Sequence, residues 1–151
     1  MAAVCFCLLA GCASRKPAPA ASPGQKFEAD DAFRIEAAVY AYLLEKHPWG
    51  SGQYAAIFLP GHDALVAELI RRFPRQVPPL KPDDQMQLLP NQAPMDRETG
   101  KPGVLLGAKA IDPANGVSEA IGTWHGGGDA AGRYALVLVE ADGTWTIQSV
   151  R

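Results

Sequence analysis

Apolar side chains recur at helical spacing between residues 27 and 47: Phe33, Ala37, Tyr40 and Leu44 share one face, and Ile35, Val39 and Leu43 widen it. The pattern predicts a helix over 27–47 with a face broad enough to lie on a sheet. Asp30 or Asp31 can cap it, because a short carboxylate accepts hydrogen bonds from the first free backbone N–H groups. Pro48 stops it by driving the preceding residue out of the α region, and Gly50-Ser51-Gly52 turns the chain. Residues 54–59 (YAAIFL) are continuously apolar and end at Pro60-Gly61, which reads as a strand buried on both faces. A second helix is expected over 64–73, capped by Asp63, with Leu65, Val66, Leu69, Ile70 and Phe73 as its buried stripe. Arg71 and Arg72 suit the negative end of its dipole, and Pro74 ends it.

Pro78, Pro79 and Pro82 force extended backbone across 77–91, with a short edge strand expected around 86–88. The polar, turn-rich stretch 91–102 reads as a surface loop. Beyond it the periodicity changes to two. Strands are expected over 104–111, 117–125, 133–140 and 144–150. They are separated by a turn at 112–116, a glycine-rich loop at 126–132 and the tight turn Asp142-Gly143. In the second strand Val117, Glu119, Ile121 and Thr123 fall on one face, with Ala120, Gly122 and Trp124 on the other. Such short connections make an antiparallel meander, whose curved inner face would receive the first helix. The expected fold class is therefore α+β, a curved antiparallel sheet packed on an N-terminal helix.

Composition narrows the function classes. A formal charge of −2 with acid and base interspersed leaves no basic stripe, which argues against nucleic acid as a partner. An apolar content of 48% supplies a core for one ordinary domain. No segment has the roughly 20 consecutive apolar residues that a membrane-spanning helix needs.

The N-terminus carries the most specific signal. A short apolar run over 2–8 leads into Leu9-Ala10-Gly11-Cys12 and then a polar, proline-rich stretch. This arrangement resembles a bacterial lipoprotein signal. The resemblance implies that the Cys12 thiol receives diacylglycerol and that a peptidase cuts before it. The chain then divides into a signal over 1–11, a lipidated linker over 12–26 and a single domain over 27–151. A signal of this kind begins with Lys or Arg, whereas the first basic residue here is Arg15, so either the true start lies upstream, which is the preferred reading, or the export signal is weak. Two or three acyl chains, at about 0.8 kcal/mol per buried CH₂, would make a lasting anchor. Ala13 is not acidic, which by the same resemblance favours the outer membrane, facing the periplasm, over the inner one. Residues 13–26 (ASRKPAPAASPGQK) read as a disordered tether. Its Arg15 and Lys16 are either simply solvated or set against anionic headgroups. All three cysteines, Cys5, Cys7 and Cys12, precede the domain, which excludes disulfides, cysteine nucleophiles and thiolate metal sites within it.

The ending YALVLVE (134–140) followed by DGTWTI (142–147) resembles the last hairpin of NTF2-like (cystatin-like) domains. The resemblance covers the first helix and the C-terminal meander, and implies a cone in which the sheet wraps the helix. The strand and helix between Tyr54 and Phe73 depart from that pattern.

Motifs for chemistry are sparse. Trp124 is followed by HGGG (125–128), as in some hydrolase oxyanion loops, yet none of Ser14, Ser22, Ser51, Ser118 and Ser149 sits in a G-x-S-x-G elbow. His47, His62 and His125 lack zinc-site spacing, and the first two read as surface residues. His125 and Asp129 could pair as acid and base, but at a hairpin tip and not inside a cone. The stretch ETGKPG (98–103) lacks phosphate-loop spacing. No catalytic residue, metal or cofactor is assigned. Two readings follow. The domain is a non-catalytic module that binds or assembles with an envelope protein. Alternatively it is an NTF2-like small-molecule binder or an isomerase or dehydratase, with a pocket drawn from Tyr40, Trp124, His125 and Trp145. A solidly packed interior favours the first, and an enclosed cavity with a carboxylate and a histidine the second. A scaffold acting through the outer sheet face would show an exposed apolar patch there.

Overall fold

The computed structural model describes residues 30–47, 49 and 52–151. Cys12, expected to carry the lipid, the expected linker, residues 27–29 and the turn residues Pro48, Gly50 and Ser51 lie outside the described residues. The first helix, α1, spans Asp31–Lys46. Of the two candidate caps Asp30 acts: its Oδ1 accepts from the Phe33 amide at 2.9 Å. Ile35, Val39, Tyr40, Ala41, Leu43 and Leu44 are buried, so the helix presents the broad face expected of it.

A six-stranded sheet lies against α1. Its strands are β1 (Ile57–Leu59), β2 (Leu80–Pro82), β5 (Val104–Ala114), β6 (Val117–Gly127), β7 (Ala130–Ala141) and β8 (Thr144–Val150), in the order β2-β1-β5-β6-β7-β8. β5 to β8 form the expected antiparallel meander. β1 runs parallel to both neighbours, and the helix α2 (Asp63–Arg72) carries the chain from it to β2. A separate antiparallel pair, β3 (Met86–Leu88) with β4 (Pro94–Asp96), follows a single 3₁₀ turn. The fold is thus α+β with two helices and a mostly antiparallel curved sheet.

Several boundaries differ from the reading of the sequence. The strand expected over 54–59 is ordered as a ladder only at Ile57–Leu59, but all three residues are fully buried. Ile57 and Leu59 join the main core, while the Phe58 ring turns to the other face against Gly103. Asp63 does not cap α2. His62 holds the cap position without a side-chain bond, and Asp63 sits in the first turn, where its charge meets the helix dipole. Ile70 is 37% exposed, leaving Leu65, Val66 and Leu69 as the buried stripe. The segment 86–88 is the short edge strand expected, in a two-stranded sheet with β4, and β4 itself replaces part of the expected loop over 91–102. The turn at 112–116 contracts to Asn115-Gly116 and the loop at 126–132 to Gly128-Asp129. In both places the ladder absorbs a register shift and continues to the tip, because each added rung satisfies backbone groups that a loop would leave to water. Asn115, Gly116, Asp142 and Gly143 all have positive φ, as tight two-residue hairpin turns require.

The inner face of β6 is the one that carries Ala120, Gly122 and Trp124: Ser118, Ala120 and Gly122 are buried. Gly122 is where α1 approaches most closely. A β-carbon there would stand 3.1 Å from a Val39 methyl and 3.4 Å from Leu43 and Leu136. Helix and sheet are therefore in direct contact, with Leu106, Ala120, Leu136 and Leu138 filling the layer beneath. No helix among the described residues is long and apolar enough to cross a membrane.

Candidate functional site

The four residues proposed from sequence to line one pocket occupy four different neighbourhoods. Tyr40 is 2% exposed in the core, and its hydroxyl donates to the Pro60 carbonyl at 2.9 Å. Burial, opposed by a backbone hydrogen bond at Ala108, pushes its pKa up to about 12. Trp145 lies at the start of α1, its indole N–H 3.3 Å from Asp31 Oδ1. Trp124 lies at the opposite end of α1, against His47 and Trp49. A helix of this length runs roughly 24 Å, so the two tryptophans cannot share a small-molecule site. His125 faces away towards the β3–β4 unit, where its Nε2–H donates to the Gln92 carbonyl at 2.9 Å; that bond, not Asp129, orients the ring.

In place of that pocket the structure assembles an aromatic cluster at the C-terminal end of α1. The His47 ring centroid is 4.6 Å from Trp49, 5.5 Å from Trp124 and 5.6 Å from Tyr134. His47 Nε2 and the Tyr134 hydroxyl share a hydrogen bond of 2.8 Å. Tyr42 meets Tyr134 edge-on at 6.0 Å, and Tyr54 lies 6.4 Å from Trp49. The Trp49 indole donates to the Leu43 carbonyl at 3.2 Å, which ties the chain after α1 back onto the helix. Desolvation, aided by the neighbouring Lys46 charge, holds the His47 pKa below its ordinary value. The imidazole is therefore neutral at pH 7. His47 is thus not the simple surface residue expected. Strand glycines were the signal for this cluster: a β-carbon at Gly132 would overlap the Trp124 indole, and one at Gly126 would overlap the Tyr54 hydroxyl.

A second polar centre was also missed. Lys81 on β2 reaches Asp96 on β4 at 3.0 and 3.2 Å and Glu98 at 2.7 Å. Asp96 is 1% exposed. Its Oδ2 accepts from the Thr99 hydroxyl at 2.7 Å, and its Oδ1 from the Glu98 amide at 3.4 Å. Burial pushes the Asp96 carboxyl up, but Thr99, Lys81 and the Glu98 amide together hold it below the usual carboxylate value. Hydrogen bonds to Glu98 and Asp96 hold the Lys81 ammonium above its own. Both carboxylate oxygens of Asp96 are used inside the protein, and the Lys81 ammonium joins Asp96 to Glu98, which makes the network a clasp between the small sheet and the large one.

A depression of about 520 Å³ is an open groove between α1, α2 and β8. Ala37, Ala38, Ala41, Trp145 and Ile147 line it, and Arg34, Glu45, Glu68 and Arg72 rim it. On the outer sheet face a smaller depression of about 270 Å³ lies among Ile111, Ile121 and Val137, with Glu119, Arg133 and Arg151 around it. Among the described residues no group of three or more His, Cys, Asp or Glu side chains is placed to hold a metal ion. Comparison with family models, with curated proteins and with solved structures gives no significant match.

Proposed function

We propose that this chain is a lipid-anchored protein of the bacterial cell envelope, tethered through Cys12, and that its domain binds or assembles with another envelope component without catalysing a reaction. The observation that carries the second half of this reading is the filled interior. The α1 side chains Val39 and Leu43 pack on the sheet at Gly122, and the buried Tyr40 hydroxyl is held by Pro60. A helix seated in a curved sheet is in keeping with an NTF2-like or cystatin-like arrangement, to which the parallel β1–α2–β2 unit is an addition. In an enzyme of that kind the cone would hold reacting groups. Here it holds packed aliphatic side chains, and the His47–Tyr134 pair lies outside it in an aromatic cluster. The anchor rests on the Leu9-Ala10-Gly11-Cys12 signal, and Ala13 favours the outer membrane, facing the periplasm.

The test is the intact mass of the N-terminal peptide of the protein purified from its native membrane. A diacylated or triacylated peptide beginning at Cys12 is expected. An unmodified cysteine, or a mature protein beginning elsewhere, overturns the anchor. The small-molecule reading keeps one specific support, the groove beside Trp145. Filling it with Ala38→Trp would abolish ligand binding there and leave an assembly function through other surfaces intact.

A further inference from the structure

We infer that β8 is a self-association edge: two copies of this chain pair through it, antiparallel and related by a two-fold axis, so that their sheets join. This goes beyond the proposed anchor and does not depend on it. The six-stranded sheet has two edges, β2 and β8. β2 is three residues long, ends in Pro82, and its Lys81 crosses to Asp96 and Glu98. Short length, proline and a charge are the usual means of blocking an edge. β8 (TWTIQSV) is seven residues long and carries neither charge nor proline, and Thr144, Thr146, Gln148 and Ser149 are exposed. A bulge at Gln148, seen as the register shift between Val137 and Leu138, bends this strand. It leaves the run Thr144–Ile147 in regular pairing with β7.

Charge selects the occupant. At the Thr144 end stand the carboxylates of Asp31, Glu140 and Asp142 against the single guanidinium of Arg34. At the Val150 end Arg133 and Arg151 stand beside Glu119 around one depression. An antiparallel strand of the same sequence sets the acidic end of one copy beside the basic end of the other, twice, by symmetry. In the symmetric register that sets Thr146 opposite Thr146 of the second copy, residues of the same face meet, and the extra residue at the Gln148 bulge brings Arg151 opposite Asp142. The joint is small. Seven residues span about 23 Å, which places it among weak, reversible interfaces, with a dissociation constant of about 10 μM or above.

The test is the mass of the full chain in detergent by analytical ultracentrifugation, from about 1 to 500 μM, a range set by that weak affinity. A reversible dimer is expected. Thr146→Lys puts two ammonium groups on the joint and should weaken it by about tenfold or more. Arg151→Glu should weaken it likewise, and Arg151→Glu combined with Asp142→Lys should restore it. Thermal melting of each variant confirms that it is folded. A wild-type chain that stays monomeric across the range overturns the inference. So does a dimer indifferent to Thr146→Lys, or a charge reversal that the second reversal fails to rescue.

Discussion

Asp96 is the one ionised side chain that the described residues bury, and its partners decide how the protein responds to acid. Its folded pKa lies below the ordinary carboxylate value, so its contribution to stability is complete above that value and is lost as pH falls through the folded pKa. Lys81 has the opposite sign: its contribution is complete below the ordinary lysine value and is lost only as pH rises through the raised one. The clasp therefore holds through neutral pH and opens in acid. Asp96→Ala removes the buried partner of Lys81 and leaves its ammonium only the exposed Glu98 carboxylate, which should cost about 2 kcal/mol in urea denaturation. Glu98→Ala should cost under about 1 kcal/mol, because the Glu98 side chain is 77% exposed. Equal costs would mean that the buried geometry is misjudged. His47 adds a response in a milder range. With its pKa depressed, the unfolded chain takes up the proton more readily, so His47 stabilises fully above the ordinary histidine value and less as pH falls through its folded pKa. A fall in melting temperature between about pH 7 and pH 5 is expected, and His47→Gln should flatten it.

At the scale of elements, the seating of α1 on the sheet is the contact on which most of the core depends. Gly122 allows it, and Gly122→Val should cost about 1–3 kcal/mol by forcing Val39 and Leu43 outwards. Thermal melting checks this, and an unchanged midpoint would mean that the helix can shift at no cost. Asp30→Ala should cost about 1 kcal/mol through loss of the bond to the Phe33 amide. Both helices and the four long strands were legible because each keeps one period over seven or more residues. Boundaries were legible where a proline or a two-residue turn marks them, as at Asp142-Gly143. They were misjudged where pairing outran composition: residues 130–132 look like loop but extend β7, because β6 offers a matching ladder. The strand β4 begins at a proline in a polar stretch, and only its partner β3 makes it a strand.

For the whole molecule, the proposed anchor and the proposed self-pairing have separate tests. Cys12→Ser should abolish lipidation and leave an uncleaved precursor in membrane fractions, and a normally processed variant protein would refute the anchor. Lipidation and pairing would act together. Chains held on one surface meet at a higher effective concentration, so a weak joint at β8 would close more readily there than in solution.

Local pattern by itself determined the α+β class, the meander, the capped first helix and the thiol-free domain, and it alone supports the proposed anchor at Cys12, because these depend on residues close together in the chain. It did not determine which distant side chains meet. Tyr40, Trp124, His125 and Trp145 were grouped by chemical type, and the tertiary structure set the first two and Trp145 at different points along α1 and turned His125 towards the β3–β4 unit. Lys81 and Asp96, or His47 and Tyr134, carry no mutual signal at separations of 15 and 87 residues. Their pairing is decided by strand order and by the glycines that let aromatic rings lie flat on the sheet, and these become visible only once the chain has folded back on itself.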